Sequence, residues 1–337
     1  MNRLIFYKLK NPKKLIEHSN YTNFELKLVT LEQINRYRKA YKNWIPVMWK
    51  VYRGKEYIAV RLKDGSKRIW HNAWVWQYAS ALKLHPERAE ILKQFIDSIN
   101  INKDEFGEFI EFEYKNCKCR FYGALVNGSI INGDIVGIYG GDCYEFINPK
   151  NSIVIDIGAN IGDSAIYFVL NGAERVIALE PYPFIYNYAN INVNVNKMND
   201  KIELLNAGYG KDSEVKVKDK KATVGDALEQ SEDGKKINLY SLGTLINMYG
   251  LNNRDDLLLK MDCEGCEYNL LDEPIEVLRK FKRIVIEFHY GYKNLETKLQ
   301  KAGFFVLHSE PIKSLGKEQS LKKMALIHKD LTSGYIY

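Results

Sequence analysis

The sequence has no run of 18 or more apolar residues, the length a membrane-crossing helix needs, so no span is expected. Its first residues, MNRLIFYKLKNPKKL, interrupt a short apolar run with lysines and offer neither a signal-peptide core nor a small-residue cleavage site. A cytoplasmic protein is the expectation. Cysteine is scarce: five in 337 residues, an odd number that argues against a disulfide scaffold. Cys117-x-Cys119 and Cys263-x-x-Cys266 have the spacing of metal ligands, but no second Cys/His pair lies at zinc-site distance. They read as small, buried or half-buried thiols, and no metal is implied.

Charge and tryptophan are unevenly spread. Residues 1–98 hold 20 Lys+Arg against 8 Asp+Glu, leaving 29 against 34 for the remainder of the chain's 49 and 42. All five tryptophans (Trp44, Trp49, Trp70, Trp74, Trp76) fall in that basic third. The shift marks three regions: an N-terminal accessory module over 1–105, a β lead-in over 106–150, and a catalytic domain over 151–330. In the module, helical spacing runs to residue 50, a hairpin turns at Asp64-Gly65, and a helix is expected from Ala73 to Ile99. Phe109 to Tyr122 reads as a strand pair around Lys115-Asn116, and the glycine-rich INGDIVGIYGGDCYEF as short strands against the edge of a ligand site.

From residue 152 strands and helices alternate. Strands are expected at 152–157, 175–180, 201–206, 257–262, 283–288, 304–309 and 323–328. Helices are expected at 164–170, 183–196, 241–249, 267–280 and 294–302. Alternation of this kind gives a parallel sheet with helices on both faces, with the last two strands as an antiparallel edge pair. Residues 211–236, charged and glycine-spotted, read as an exposed insertion over the site.

Ile153 to Pro181 carries the first chemistry. A β-branched strand runs into Gly158, Asn160 and Gly162, where the backbone can take positive φ and a ligand can come close. Asp163 or Ser164 follows as a helix cap. Glu180 ends the next strand, 24 residues after Asp156 by difference, where a carboxylate accepts ribose hydroxyls. A dinucleotide fingerprint needs glycines at the first, third and sixth places of this turn; here they are Gly158, Asn160 and Asp163. Asp163 would face a pyrophosphate with negative charge. A nucleoside without phosphates fits better, and S-adenosylmethionine (SAM) is one. The second constellation is LLLKMDCEGCE, in which an apolar strand delivers Asp262 to its carboxyl end with Glu264 and Glu267 just beyond. Glu267 reads as a helix cap. His289 follows the strand ending at Phe288, at the rim where a general base is useful.

Taken together, VIDIGANIGDSAIYF, ALEPYP, NINVN (190–194) and LKMDCEGCE resemble the FkbM-type methyltransferases of the class I SAM-dependent superfamily, over roughly 120–310. The resemblance implies an α/β, Rossmann-like sheet of seven strands, mostly parallel with the last antiparallel, preceded here by an α+β module. It implies that Asp156, Gly158, Asn160, Gly162 and Asp163 surround the methionine part of SAM. Glu180 would hold the ribose, Pro181 and Tyr182 would flank the adenosine, and Asn206 and Ala207 would line the adenine side. Asp262 and Glu264 would face the substrate, with His289 or Asp262 as base. Family members are associated mainly with O-methylation of sugar or polyketide hydroxyls, so a glycan or small-molecule acceptor is expected. Two other readings stay open: an RNA methyltransferase whose basic, aromatic module tracks phosphates, and a non-catalytic SAM-fold protein whose module docks a partner.

Overall fold

A computed structural model describes residues 31–84, 86–124, 134–141, 143–218, 228–288, 293–313 and 320–328. The chain divides into two compact units, Met1–Lys93 and Gln94–Tyr337.

In the first unit, α1 (Leu31–Ala40) and α2 (Trp44–Tyr52) precede a hairpin of β1 (Tyr57–Arg61) and β2 (Lys67–His71), followed by α3 (Asn72–Leu84). The hairpin turns as its sequence requires: Gly65 takes φ 99°, and the Ser66 amide and hydroxyl both donate to Asp64 Oδ1. Tyr37, Tyr41, Val47, Ile58, Val60, Trp70, Trp74 and Tyr78 are buried, and the Tyr41 hydroxyl donates to the Val75 carbonyl at 2.7 Å. Two tryptophans are therefore core, while Trp49 and Trp76 are 50% and 44% exposed. The expected helix over 73–99 is two helices, α3 and α4 (Pro86–Ser98). Proline disfavours helical backbone in the residue before it and suits a first helical turn, which places the break.

The second unit opens with an antiparallel meander of β3 (Asn100–Asp104), β4 (Gly107–Tyr114) and β5 (Cys117–Tyr122). Lys115 and Asn116 both have positive φ, 49° and 61°, matching the right-handed twist of the strands they join. The segment expected as short strands is instead helical where it is described: a wide turn over Val136–Gly140 and a tight one over Glu145–Ile147. Ile135, Val136, Ile138 and Tyr139 are buried around the wide turn, a helical spacing one turn long and too short to announce its period.

The main sheet has seven strands: β6 (Ile153–Ile157), β7 (Arg175–Leu179), β8 (Ile202–Leu205), β12 (Leu257–Met261), β13 (Phe281–Phe288), β14 (Phe304–Lys313) and β15 (Ser320–His328). Their spatial order is β14-β15-β13-β12-β6-β7-β8. Every neighbour from β8 to β13 pairs parallel, whereas β15 pairs antiparallel with both β13 and β14. This is the α/β, Rossmann-like sheet of seven strands, mostly parallel with the last antiparallel, expected from the sequence.

The helices flanking the sheet are α5 (Asp163–Leu170), α6 (Pro183–Val195), α7 (Leu242–Met248), α8 (Ile275–Leu278) and α9 (Lys293–Ala302). A single helix over 267–280 does not form. A tight turn, Cys266–Leu271, ends before Pro274, which has no N–H to continue a helix, and α8 starts after it. Within the insertion, β10 (Ser213–Val217) and β11 (Lys235–Tyr240) pair antiparallel, and β11 pairs parallel with β9 (Ala207–Tyr209).

Alternation along the buried strands sorts the core into two layers. Val154, Val176, Ala178, Leu258 and Val285 face α5, Phe112 and Phe121. Ile153, Ile155, Ile157, Leu257, Leu259 and Met261 face the cluster of Leu245, Leu270, Leu278 and Leu299. The NINVN segment has a structural job in the first layer. Asn192 is fully buried on α6; its amide donates to the carbonyls of Tyr122 (3.0 Å) and Ile161 (2.8 Å), and its carbonyl oxygen accepts from the Tyr122 N–H at 2.7 Å. One side chain thus ties the meander to the glycine turn after β6. Truncating Asn192→Ala strands buried backbone groups at roughly 1–3 kcal/mol each, so the denaturant midpoint should fall well below wild type with the m-value unchanged; a midpoint within error of wild type would remove this clamp.

Candidate functional site

The glycine turn after β6 and the acidic turn after β12 are locked together. Gly158 takes φ 76°, and a Cβ built there would lie 2.0 Å from the Asp262 carbonyl oxygen. The Gly158 and Ala159 amides both donate to the Leu179 carbonyl (3.0 and 2.9 Å), and the Asp262 amide donates to the Ile157 carbonyl at 3.1 Å. Asn160 at φ 49° and Gly162 at φ 84° complete the turn into α5.

A pocket opens beyond the carboxyl ends of β6, β7 and β12, where ligands bind in open parallel sheets. Of the residues expected at the cofactor, Gly158, Asn160, Glu180, Pro181, Tyr182 and Ala207 line it, as do Asp262 and Glu264, expected to face the substrate. Asp156, Gly162, Asp163 and Asn206 are not part of the lining. Asp156 is fully buried: its Oδ2 accepts from the Ser164 hydroxyl at 2.6 Å, and its Oδ1 forms an ion pair with Lys260 Nζ at 2.9 Å. Asp163 is 2% exposed, with Oδ1 accepting the Ser164 amide, so the charge expected to face a phosphate lies inside the protein. Asn206 acts from behind, donating to the carbonyls of Glu180 (2.9 Å) and Pro181 (3.1 Å) and so fixing the turn that presents them. His289 lies outside the described residues.

Glu180 is held by two backbone donors, the Asn160 amide at 3.0 Å and the Tyr182 amide at 2.9 Å. A carboxylate has about four acceptor sites, so capacity remains for two hydroxyls. Burial outweighs those amides and pushes its pKa up to about 8; burial likewise raises Asp163 to about 7 despite the nearby Lys260. Lys260 itself is pulled down by burial but raised further by Asp156 and Asp262, ending above the ordinary lysine value. Apolar residues complete the lining: Leu179, Ile185 and Leu228 join Tyr182, whose hydroxyl accepts the Glu229 amide.

Several site residues carried no signal in the sequence. Asp134 lines the pocket and Tyr144 donates to Asp262 Oδ2 at 3.4 Å; both come from the segment misread as strands. Cys263 and Cys266 also line the pocket, not as thiols but as a disulfide. Its sequence separation of three places both sulfurs on one tight turn, a local bridge that counting cysteines does not reveal. Within the turn Glu264 and Gly265 take φ 55° and 114°. Buried Glu267 accepts the Gly265 amide at 2.8 Å, the capping role its position suggested. Among the described residues, no three His, Cys, Asp or Glu side chains group as metal ligands, and no helix is long and apolar enough to cross a membrane.

The donor set suits SAM: a buried acid with spare acceptor capacity, apolar walls beside it, and a glycine turn with its backbone at the pocket. The family described as Methyltransferase FkbM domain matches residues 156–306, just under half of the 337. No curated protein matches the chain. Among solved structures, TYW2 from M. jannaschii in complex with AdoMet is similar at 15% identity, covering 68% of this chain and 85% of that one with a TM-score of 0.36. TrmK from M. capricolum, in complex with S-adenosyl-homocysteine, is similar at 12% identity over 56% of this chain and 67% of its own, with a TM-score of 0.34. The B. subtilis m1A22 tRNA methyltransferase TrmK follows at 16% identity over 56% and 64%, with a TM-score of 0.33.

Two outcomes follow from the site. Because burial raises the Glu180 pKa from the ordinary glutamate value up to about 8, the folded state binds more protons than the unfolded one across that window. Stability of the ligand-free protein must therefore fall as pH rises through it. Glu180→Gln should flatten the decline in Tm between pH 5 and 8, and an unchanged slope would refute the burial of this acid. Alkylation of the unfolded protein without reductant should modify three cysteines, Cys117, Cys119 and Cys143, and five after reduction. Five without reductant would show the bridge absent.

Proposed function

We propose that this chain, whose residues 156–306 are an FkbM-type SAM-dependent methyltransferase domain, methylates a hydroxyl on a neutral acceptor, a glycan or a small polyol. The observation that carries this reading is the charge of the pocket. Its described lining includes the acids Asp134, Asp262 and Glu264 beside the proton-holding Glu180, and no lysine, arginine or histidine. Such a wall repels a phosphate backbone and accepts hydrogen bonds from hydroxyl groups.

SAM supplies a methyl group already activated on a sulfonium. What remains for the protein is alignment, exclusion of water and removal of one proton. Alignment falls to the interlocked turns, which fix Gly158 and Asn160 against Asp262 and Glu264. An aliphatic hydroxyl is a weak nucleophile at neutral pH, and a positioned base typically contributes 10²–10⁴-fold. Asp262 is the better placed of the two acids to serve. Tyr144 donates to one of its oxygens, which orients the carboxylate and leaves the other oxygen for the acceptor.

Nucleic acid as acceptor is a second reading, favoured by the first unit. That unit is basic, and its exposed Trp49 lies under the Arg53 guanidinium at 4.5 Å, an arrangement on which bases can stack.

Radiolabelled methyl transfer from SAM into cell extract separated into glycan, lipid, RNA and protein pools distinguishes them. Label in the glycan or small-molecule pool is the expected result, and label confined to RNA defeats it. Asp262→Asn should lower turnover by roughly 10²–10⁴-fold while the Kd for SAM stays at the wild-type value. Retained turnover would remove Asp262 as the base.

A further inference from the structure

Lys260 sits on β12 at 2% exposure, directly across the parallel register from Asp156 on β6. Their neighbours on that face of the sheet are Val154, Ala178, Leu258 and Val285, all apolar. The ammonium forms an ion pair with Asp156 Oδ1 at 2.9 Å and donates to the Gly158 carbonyl at 2.7 Å and the Ile157 carbonyl at 3.4 Å. The Tyr144 ring lies 5.9 Å away.

Stability does not account for this pair. Desolvating two ions takes back much of what their attraction returns, and well-packed apolar replacements of a buried pair are often neutral or stabilising. The geometry of the third partner does account for it. The peptide joining Gly158 to Ala159 is gripped on both sides: its carbonyl by Lys260, its N–H by the Leu179 carbonyl at 2.9 Å. The peptide plane therefore cannot rotate. The next amide, that of Asn160, donates to Glu180 and depends on the same orientation. Asp156 neutralises the cation that performs this and, through the Ser164 hydroxyl, ties it to the first turn of α5.

We propose that Lys260 is the positioning residue of the SAM site, fixing the Gly158–Asn160 backbone through the Gly158 carbonyl, with Asp156 as its counter-ion rather than as a ligand of the cofactor. The proposal rests on the assignment of this pocket to SAM. It also explains why Asp156 is absent from the lining.

The test is the charge-balanced double variant Lys260→Met/Asp156→Leu, which removes the pair without leaving a buried ion alone. Lys260→Met by itself strands Asp156 and serves as the destabilised reference. Wild type and double variant are compared by thermal unfolding and by calorimetric titration with SAM. The double variant should unfold at or above the wild-type midpoint, yet bind SAM at least about tenfold more weakly, a difference of 1.4 kcal/mol. Wild-type SAM affinity in the folded double variant overturns the proposal, and so does a midpoint well below wild type, which would make the pair structural. Wild-type protein that itself fails to bind SAM defeats the cofactor assignment, a failure seen before any variant is measured.

Discussion

Between β6 and β12 an aspartate and a lysine face each other in register inside an otherwise apolar sheet face, and much of the site hangs on that pair. The lysine reaches one residue beyond the end of β6 to hold the Gly158 carbonyl. Only glycine can stand at that position, because a Cβ there would lie 2.0 Å from the Asp262 carbonyl oxygen. The cofactor turn and the acidic turn are consequently one rigid body: neither can shift without breaking the other's hydrogen bonds. Rigidity of this kind suits a reaction whose methyl donor arrives activated, because the remaining barrier is chiefly one of alignment.

The acids at this end of the sheet are sorted by depth. Asp156 and Asp163 are inside, engaged by Lys260 and by Ser164. Glu180 lies at the pocket wall with two amides on it and a raised affinity for its proton. Asp262, Glu264 and Asp134 line the pocket on the other side. The same residue type thus stands in three environments, and burial sets how readily each group gives up its proton.

The sheet and its strand ends were legible in the sequence because buried parallel strands leave unbroken β-branched runs, and because glycines and acids mark their carboxyl ends. Glu180, Asp262 and Glu264 were found that way. Asp134 and Tyr144 were not, since a single helical turn shows no period and glycines made the segment look like strands. Cys263 and Cys266 were read as thiols because bridges are usually inferred from compartment and cysteine number, neither of which speaks to two sulfurs on one turn. Lys260 carries its own mark: a lysine inside LLLKM is the wrong residue for a strand buried on both faces unless an acid stands beside it. The Asp156 run contains that acid, but only strand order, which sequence alone does not give, makes them neighbours.

Strand β15 follows β14 in the chain yet lies inside it in the sheet, between β14 and β13. During synthesis β14 emerges first and has no partner until β15 arrives to separate it from β13. Until then the far edge of β13 is open, and its unpaired backbone is a template for mispairing. β14 and β15, adjacent in the chain and paired antiparallel, can close as one hairpin, and docking that hairpin through β15 covers the open edge of β13.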